Sequence, residues 1–143
     1  MLGQSDAEVA ARLRVAVGRL IRYLRHHAVE QLTVSQLSAL ATLGNGPLRL
    51  GELAAAENIS PSTLTRIVAS LEERGLVARR QDADDRRVIW TELTATGTDL
   101  LERMRQERTL YLARRVAALD APDRAALETA LPVLEALASE TEP

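Results

Sequence analysis

The 143-residue sequence contains no cysteine, no phenylalanine and no lysine, so its 18 basic residues are all arginine, and its only histidines are the adjacent His26 and His27. Without thiols there is no disulfide framework, no thiolate nucleophile, no Cys-ligated zinc and no cysteine redox switch. Without lysine there is neither a Schiff-base amine nor a phosphate-loop lysine. Two adjacent histidines on a helix point about 100° apart, so they do not grip a metal as an i, i+4 pair does. An enzyme would have to run on carboxylates, hydroxyls and arginine alone, and the acids are scattered along the chain instead of converging. The composition therefore points to a binding protein that uses no metal and no cofactor. Also missing is any apolar run of the roughly 18–20 residues that cross a bilayer. The segment Met1-Leu2-Gly3-Gln4-Ser5-Asp6 lacks the basic start and apolar core of a signal peptide, so a cytoplasmic protein is expected, away from membranes.

What is present is an ordinary globular composition, 46% hydrophobic and 27% charged, of a length that suits a single domain over residues 1–143. With 20 acids against 18 arginines the net charge is −2, so any attraction for nucleic acid must come from locally placed arginines.

Apolar positions Val9, Leu13, Val17, Leu20, Ile21 and Leu24, with arginines between them, predict a long amphipathic helix over residues 6–31. Thr33 and Gln36 have capping-box spacing before Leu37, Leu40 and Ala41, which predicts a helix over 34–43, ended by Gly44-Asn45-Gly46-Pro47. A short helix fits Leu50 to Glu57, with Asn58 supplying a tight turn. Ser60-Pro61 then restarts a helix as N-cap and first residue, and Gly75 stops it. Leu64, Ile67, Val68 and Leu71 form its apolar stripe, while Ser62, Thr65, Arg66 and Ala69 lie on the opposite face. The period then changes to that of strands. Leu76–Arg80 and Val88–Leu93 read as a β-hairpin whose tip, Gln81-Asp82-Ala83-Asp84-Asp85-Arg86-Arg87, holds five charged residues of both signs. Thr94 can cap a long helix reaching about residue 119. A last helix begins at Asp120-Ala121-Pro122 and meets Pro132, which should bend or loosen it.

Two helices joined by a short turn, the second with an uncovered polar face, followed by a hairpin, make a winged helix-turn-helix. The expected fold is mainly α with a small β-hairpin wing: a winged lobe over 33–94 and a helical lobe from 6–31 and 95–139. The apolar stripes of the terminal segments exceed what so small a lobe can cover, and a second copy of the chain is the simplest partner.

Three motifs carry a resemblance: Leu53-Ala54 through Asn58-Ile59-Ser60-Pro61-Ser62-Thr63-Leu64-Thr65-Arg66 to Arg74-Gly75-Leu76-Val77, then Asp85-Arg86-Arg87, then Leu93-Thr94-x-x-Gly97. In residue types and spacing they resemble the multiple antibiotic resistance regulator (MarR) family of bacterial transcription factors, and the order of elements matches over residues 6–139. The resemblance implies a winged-helix homodimer that binds a pseudo-palindromic operator in double-stranded DNA as a repressor, released by a small aromatic or phenolic effector. It places Ser62, Thr63, Thr65 and Arg66 in the major groove and Arg87 in the minor groove, with Asp85 steadying Arg87. Ser60, Arg79 and Arg86 join them as candidate DNA contacts. Chemistry agrees, because hydroxyls and helix starts suit phosphates, arginine forks onto guanine, and a narrow minor groove attracts arginine. For the effector, Arg22, Arg25, His26 and Trp90 are candidates, since a cation and an aromatic ring suit a benzoate-like acid. The lack of cysteine argues against the family's peroxide-sensing branch. The alternative reading is a winged helix used as a protein-interaction module without specific DNA binding.

Overall fold

The computed structural model describes residues 3–139 apart from 27–31, and of His26 the backbone only. The elements are α1 (Gln4–His26), α2 (Val34–Leu43), β1 (Leu48–Arg49), α3 (Leu50–Glu57), α4 (Pro61–Glu73), β2 (Val77–Gln81), β3 (Ile89–Leu93), α5 (Ala95–Ala117) and α6 (Ala121–Ala138). The mainly helical fold with a small β element is the one expected from the sequence. The expected extension of the first helix to residue 31, and His27 with it, lies outside the described residues. The wing is not a bare hairpin, because β1 adds an edge to a three-stranded antiparallel sheet of order β1-β3-β2. Leu48 faces Thr91 and Arg49 faces Trp90, while Val77–Gln81 pairs with Leu93–Ile89. A strand of two residues between Pro47 and a helix start is too short to leave a period of its own.

By its internal contacts the chain divides into two units, Met1–Glu107 and Arg108–Pro143, with the division inside α5. In the first unit, Ala39, Leu40 and Leu43 of α2, Leu53 and Ala54 of α3, and Leu64, Val68 and Leu71 of α4 close a core with Leu76, Val77, Leu100 and Met104. Polar links set the helices against one another. Thr33 and Gln36 exchange side-chain bonds of 2.9 and 3.2 Å at the start of α2, Gln36 Nε2 donates to Ser70 Oγ of α4 at 2.8 Å, and Thr42 Oγ1 donates to Glu57 Oε1 of α3 at 2.5 Å. Among its described residues α1 buries none, and Val9, Val17, Leu20 and Ile21 are exposed. In the second unit α6 starts on the Asp120 cap, whose Oδ1 accepts from Asp123 N at 2.9 Å, and continues through Pro132. It too buries no residue, and Leu131, Val133 and Leu137 are exposed.

Thr91, at the centre of β3, is 0% exposed and its Oγ1 has no hydrogen-bond partner among the described residues. A buried hydroxyl without a partner costs about 1–3 kcal/mol. Thr91→Val keeps the branched shape and removes the hydroxyl, so it is expected to raise stability by about 1 kcal/mol in a denaturant titration. A loss of stability would mean that the hydroxyl is satisfied by water.

Candidate nucleic-acid interface

The turn between α3 and α4 depends on Asn58, which takes the left-handed conformation (φ 52°, ψ 45°) at the end of α3. A short polar side chain tolerates that region where a branched one does not. Ile59 N returns to Ala54 O at 3.1 Å, and the Ile59 side chain packs on the core. Ser60 then caps α4, its Oγ accepting from Thr63 N at 3.3 Å, and Pro61 occupies the first helical position. The far end is closed by Gly75 (φ 70°). Gly75 N bonds Glu72 O at 2.9 Å and Leu76 N bonds Leu71 O at 3.0 Å, a Schellman closure that turns the chain directly into β2.

With Leu64, Val68 and Leu71 buried, α4 presents Ser62, Thr65 and Arg66 to solvent, and Thr63 is half-buried. Thr65 Oγ1 donates to Pro61 O at 2.8 Å, which leaves its lone pairs free to accept. Ser60 Oγ donates to Thr63 Oγ1 at 2.9 Å and lies 3.2 Å from Ser62 Oγ. Arg66 forms no ion pair among the described residues. The first turn of α4 carries no acid, so the partial positive charge of its N-terminal N–H groups is uncompensated there.

The wing tip is organised by two aspartates. Asp82 Oδ1 accepts from the backbone N of Asp84 at 2.9 Å and of Asp85 at 3.1 Å, and its Oδ2 accepts from Trp90 Nε1 at 2.7 Å. Asp85 Oδ1 accepts from Arg87 N at 3.1 Å and Nε at 3.0 Å, and Oδ2 accepts from Nη2 at 3.1 Å. This fork leaves the Arg87 side chain 90% exposed. The hydrogen bonds from Arg87 hold the Asp85 carboxyl below its ordinary range, and Asp85 in turn raises Arg87. Arg86 is exposed and its carbonyl accepts from Gln81 Nε2 at 3.1 Å.

Asp82 is lowered from 3.8 to about 2, first by the Trp90 indole N–H and then by the two backbone N–H groups. Because the folded value lies below the unfolded one, what Asp82 contributes to wing order is complete above pH 4 or so and is lost as pH falls through about 2. Carboxyl carbon shifts followed by NMR are expected to place its midpoint near 2. A midpoint at the ordinary 3.8 would mean that these bonds do not persist in solution.

The remaining sequence candidates are distributed as follows. Arg79 is tied to Glu72 of α4 by Nε–Oε2 at 3.2 Å, and Arg80 lies 3.7 Å from Glu92, so the β2 arginines face acids that compete with phosphate. Arg22 lines an open recess of about 310 Å³ on α1 with Arg19 and Tyr23. Arg25 is exposed on the same helix, and the His26 side chain lies outside the described residues. Trp90 does not join them, since its indole is bonded to Asp82 and lies under the Arg49 guanidinium, 5.2 Å from the ring centroid. Sequence reasoning missed Arg49 and Asp82. The signal for Asp82 was the Asp-x-Asp-Asp spacing of an Asx turn. The signal for Arg49 was a basic residue where a helix start favours a capping oxygen. Among the described residues no three His, Asp or Glu side chains gather to hold a metal, and no helix is long and apolar enough to cross a membrane.

Comparison with known proteins places this geometry. Residues 32–89, from the lead-in of α2 to the start of β3, match the profile of the MarR family. The HTH-type transcriptional regulator Mb0904 of Mycobacterium bovis is 37% identical over 139 residues, covering 96% of this chain and 97% of that protein. The HTH-type transcriptional repressor MdtR of Bacillus subtilis is 35% identical over 122 residues, 81% of this chain and 79% of that one. A solved structure from Pseudomonas aeruginosa, of a protein assigned to transcriptional regulation, superposes with a TM-score of 0.85 at 34% identity, covering 99% of this chain and 100% of that one. A two-helix unit with a polar outer helix, an arginine-tipped wing and relatives along almost the whole length lead to one conclusion: the chain belongs to the MarR family of winged helix-turn-helix transcriptional regulators, proteins that bind DNA and are not enzymes.

Proposed function

We propose that the protein is a cytoplasmic homodimeric repressor of a pseudo-palindromic operator. Each protomer sets α4 in a major groove and Arg87 in the flanking minor groove, with the two recognition helices about one helical turn, 34–36 Å, apart. The observation that carries this reading is the pairing of an acid-free first turn and a hydroxyl- and arginine-bearing face on α4 with a wing arginine held outward by Asp85. Ser62, Thr63, Thr65 and Arg66 then read base edges, and Ser60, Arg79 and Arg86 take backbone phosphates. Repression agrees with the name of the relative MdtR. Dimerisation is supported by the apolar residues left exposed on α1 and α6, since helices of this kind gain most of their stability from a packed face. Release by a small aromatic acid has one supporting feature, the arginine- and tyrosine-lined recess on α1, whose volume suits such a molecule.

The test is a titration of the purified chain against the DNA upstream of its own gene and against unrelated DNA, over a salt series, with sedimentation to give the oligomeric state. A dimer that prefers the upstream DNA with a steep salt slope supports the reading. Equal, weak binding to both, together with no binder recovered from a random-sequence DNA pool, favours the interaction-module alternative. Adding benzoate to the bound complex tests release in the same assay.

A further inference from the structure

We propose that Arg49, Trp90 and Asp82 form a strut that fixes the wing-tip arginine relative to α3, so that these three are positioning residues for DNA binding. The inference rests on the reading of Arg87 as a DNA contact. An exposed Arg–Asp pair holds little by itself, because two solvated side chains trade their attraction for lost freedom and screening. Residues 82–87 of the tip carry no apolar side chain larger than the methyl of Ala83, the half-buried Val88 beside β3 being the first, and an unanchored tip would have to be ordered by the DNA at the expense of affinity.

The structure supplies an anchor in three links. β1 pairs with β3 so that Arg49 and Trp90 are direct cross-strand neighbours, which puts their side chains on one face of the sheet. Arg49 directly precedes α3, yet its guanidinium does not serve the helix start. It lies over the indole, where a cation is attracted to the ring face. The indole N–H, at the ring's edge, then donates to Asp82 Oδ2, while Oδ1 of the same carboxylate holds the backbone N–H groups of Asp84 and Asp85. Asp85 is the residue that forks onto Arg87. The path from the start of the first helix of the helix-turn-helix to the wing arginine is therefore continuous, and the indole N–H, which joins β3 to Asp82, can be removed by one substitution without altering the backbone.

A double-mutant cycle tests this, on a duplex recovered by the wild-type protein from a random-sequence pool. Trp90→Phe keeps an aromatic ring under Arg49 and removes the N–H. Asp82→Asn keeps an oxygen for the backbone N–H groups and turns an amide donor toward the indole N–H. Each is expected to weaken binding by about three- to tenfold, and each effect is expected to vanish in an Arg87→Ala background, because the strut acts only through that arginine. Wild-type affinity in both single variants overturns the proposal, as does an equal loss with and without Arg87, which would mark a general structural role. If Trp90→Phe fails to fold, Asp82→Asn interrogates the same bond from its other end. Arg87→Ala alone separates the two readings: no loss there removes the wing from DNA binding altogether, whereas a loss there with additive strut variants removes only the strut.

Discussion

Gly97→Ala is expected to destabilise the protein by about 3 kcal/mol or more and to lower its melting temperature by about 10 °C, although alanine is the better helix former by about 1 kcal/mol. Gly97 is the third residue of α5, and a Cβ added there would lie 2.0 Å from Leu76 O and 2.9 Å from Leu76 C. The obstacle is backbone, not the end of a flexible side chain, so either the start of α5 must lift or the turn after α4 must move. Both are held. Thr94 N bonds Leu76 O at 3.1 Å, Thr94 Oγ1 donates to Gly75 O at 2.5 Å, and Gly97 N donates to Thr94 Oγ1 at 3.0 Å. Lifting α5 would also pull Leu100, Leu101 and Met104 from their buried positions one and two turns further on. Gly18→Ala is the control, because nothing lies within 4 Å of a Cβ at that position of α1 and propensity alone should make the change neutral or favourable. Thermal unfolding of the two variants decides the matter, and a neutral Gly97→Ala would refute the close approach of α5 to Leu76.

Arg87→Ala is expected to weaken operator binding by about 10- to 100-fold and to lower the salt slope by about one, with dimerisation and melting temperature unchanged. The side chain is 90% exposed and among the described residues its only partner is Asp85 on the same loop, so the fold loses almost nothing with it. In a narrow minor groove the same guanidinium meets concentrated negative potential, and the fork to Asp85 means that less freedom is surrendered on docking. Asp85→Asn should give a smaller loss, since the arginine remains but one arm of its support is weakened. An Arg87→Ala titration that overlays the wild-type curve would exclude the wing as a DNA contact.

Where residues carry a period or a capping chemistry, the sequence was readable to within a residue or two. Thr33 with Gln36, Ser60 with Pro61, and Gly75 mark the ends of α2 and α4 because capping oxygens, a fixed φ and a left-handed glycine are local requirements. The order of helices, turn and wing followed from the change of period after Gly75. β1 was invisible because two residues have no period, and its existence depends on pairing with a strand some forty positions later. The Asp85–Arg87 pairing came from the family resemblance, and its bidentate geometry came only from the structure. Trp90 shows the limit of residue-type reasoning. An aromatic ring near arginines suggested a ligand contact, whereas the neighbours seen in the structure, Arg49 and Arg80 across the sheet and Asp82 at the indole N–H, are set by strand pairing and by the turn of the tip, which residue type does not announce.

The position of that indole has an optical consequence. Trp90 is the only tryptophan in the chain, so emission excited beyond the absorption of Tyr23 and Tyr111 comes from one ring, seated between a guanidinium and a carboxylate where β3 leaves the wing tip. Its intensity and colour respond to those two charges and to solvent reaching the ring edge. The protein thus carries its own unlabelled fluorophore at the wing. In a stopped-flow mixing experiment with DNA that fluorophore reports when the wing settles, while a polarisation signal from labelled DNA reports when the protein first arrives, and the interval between the two gives the order in which α4 and the wing engage.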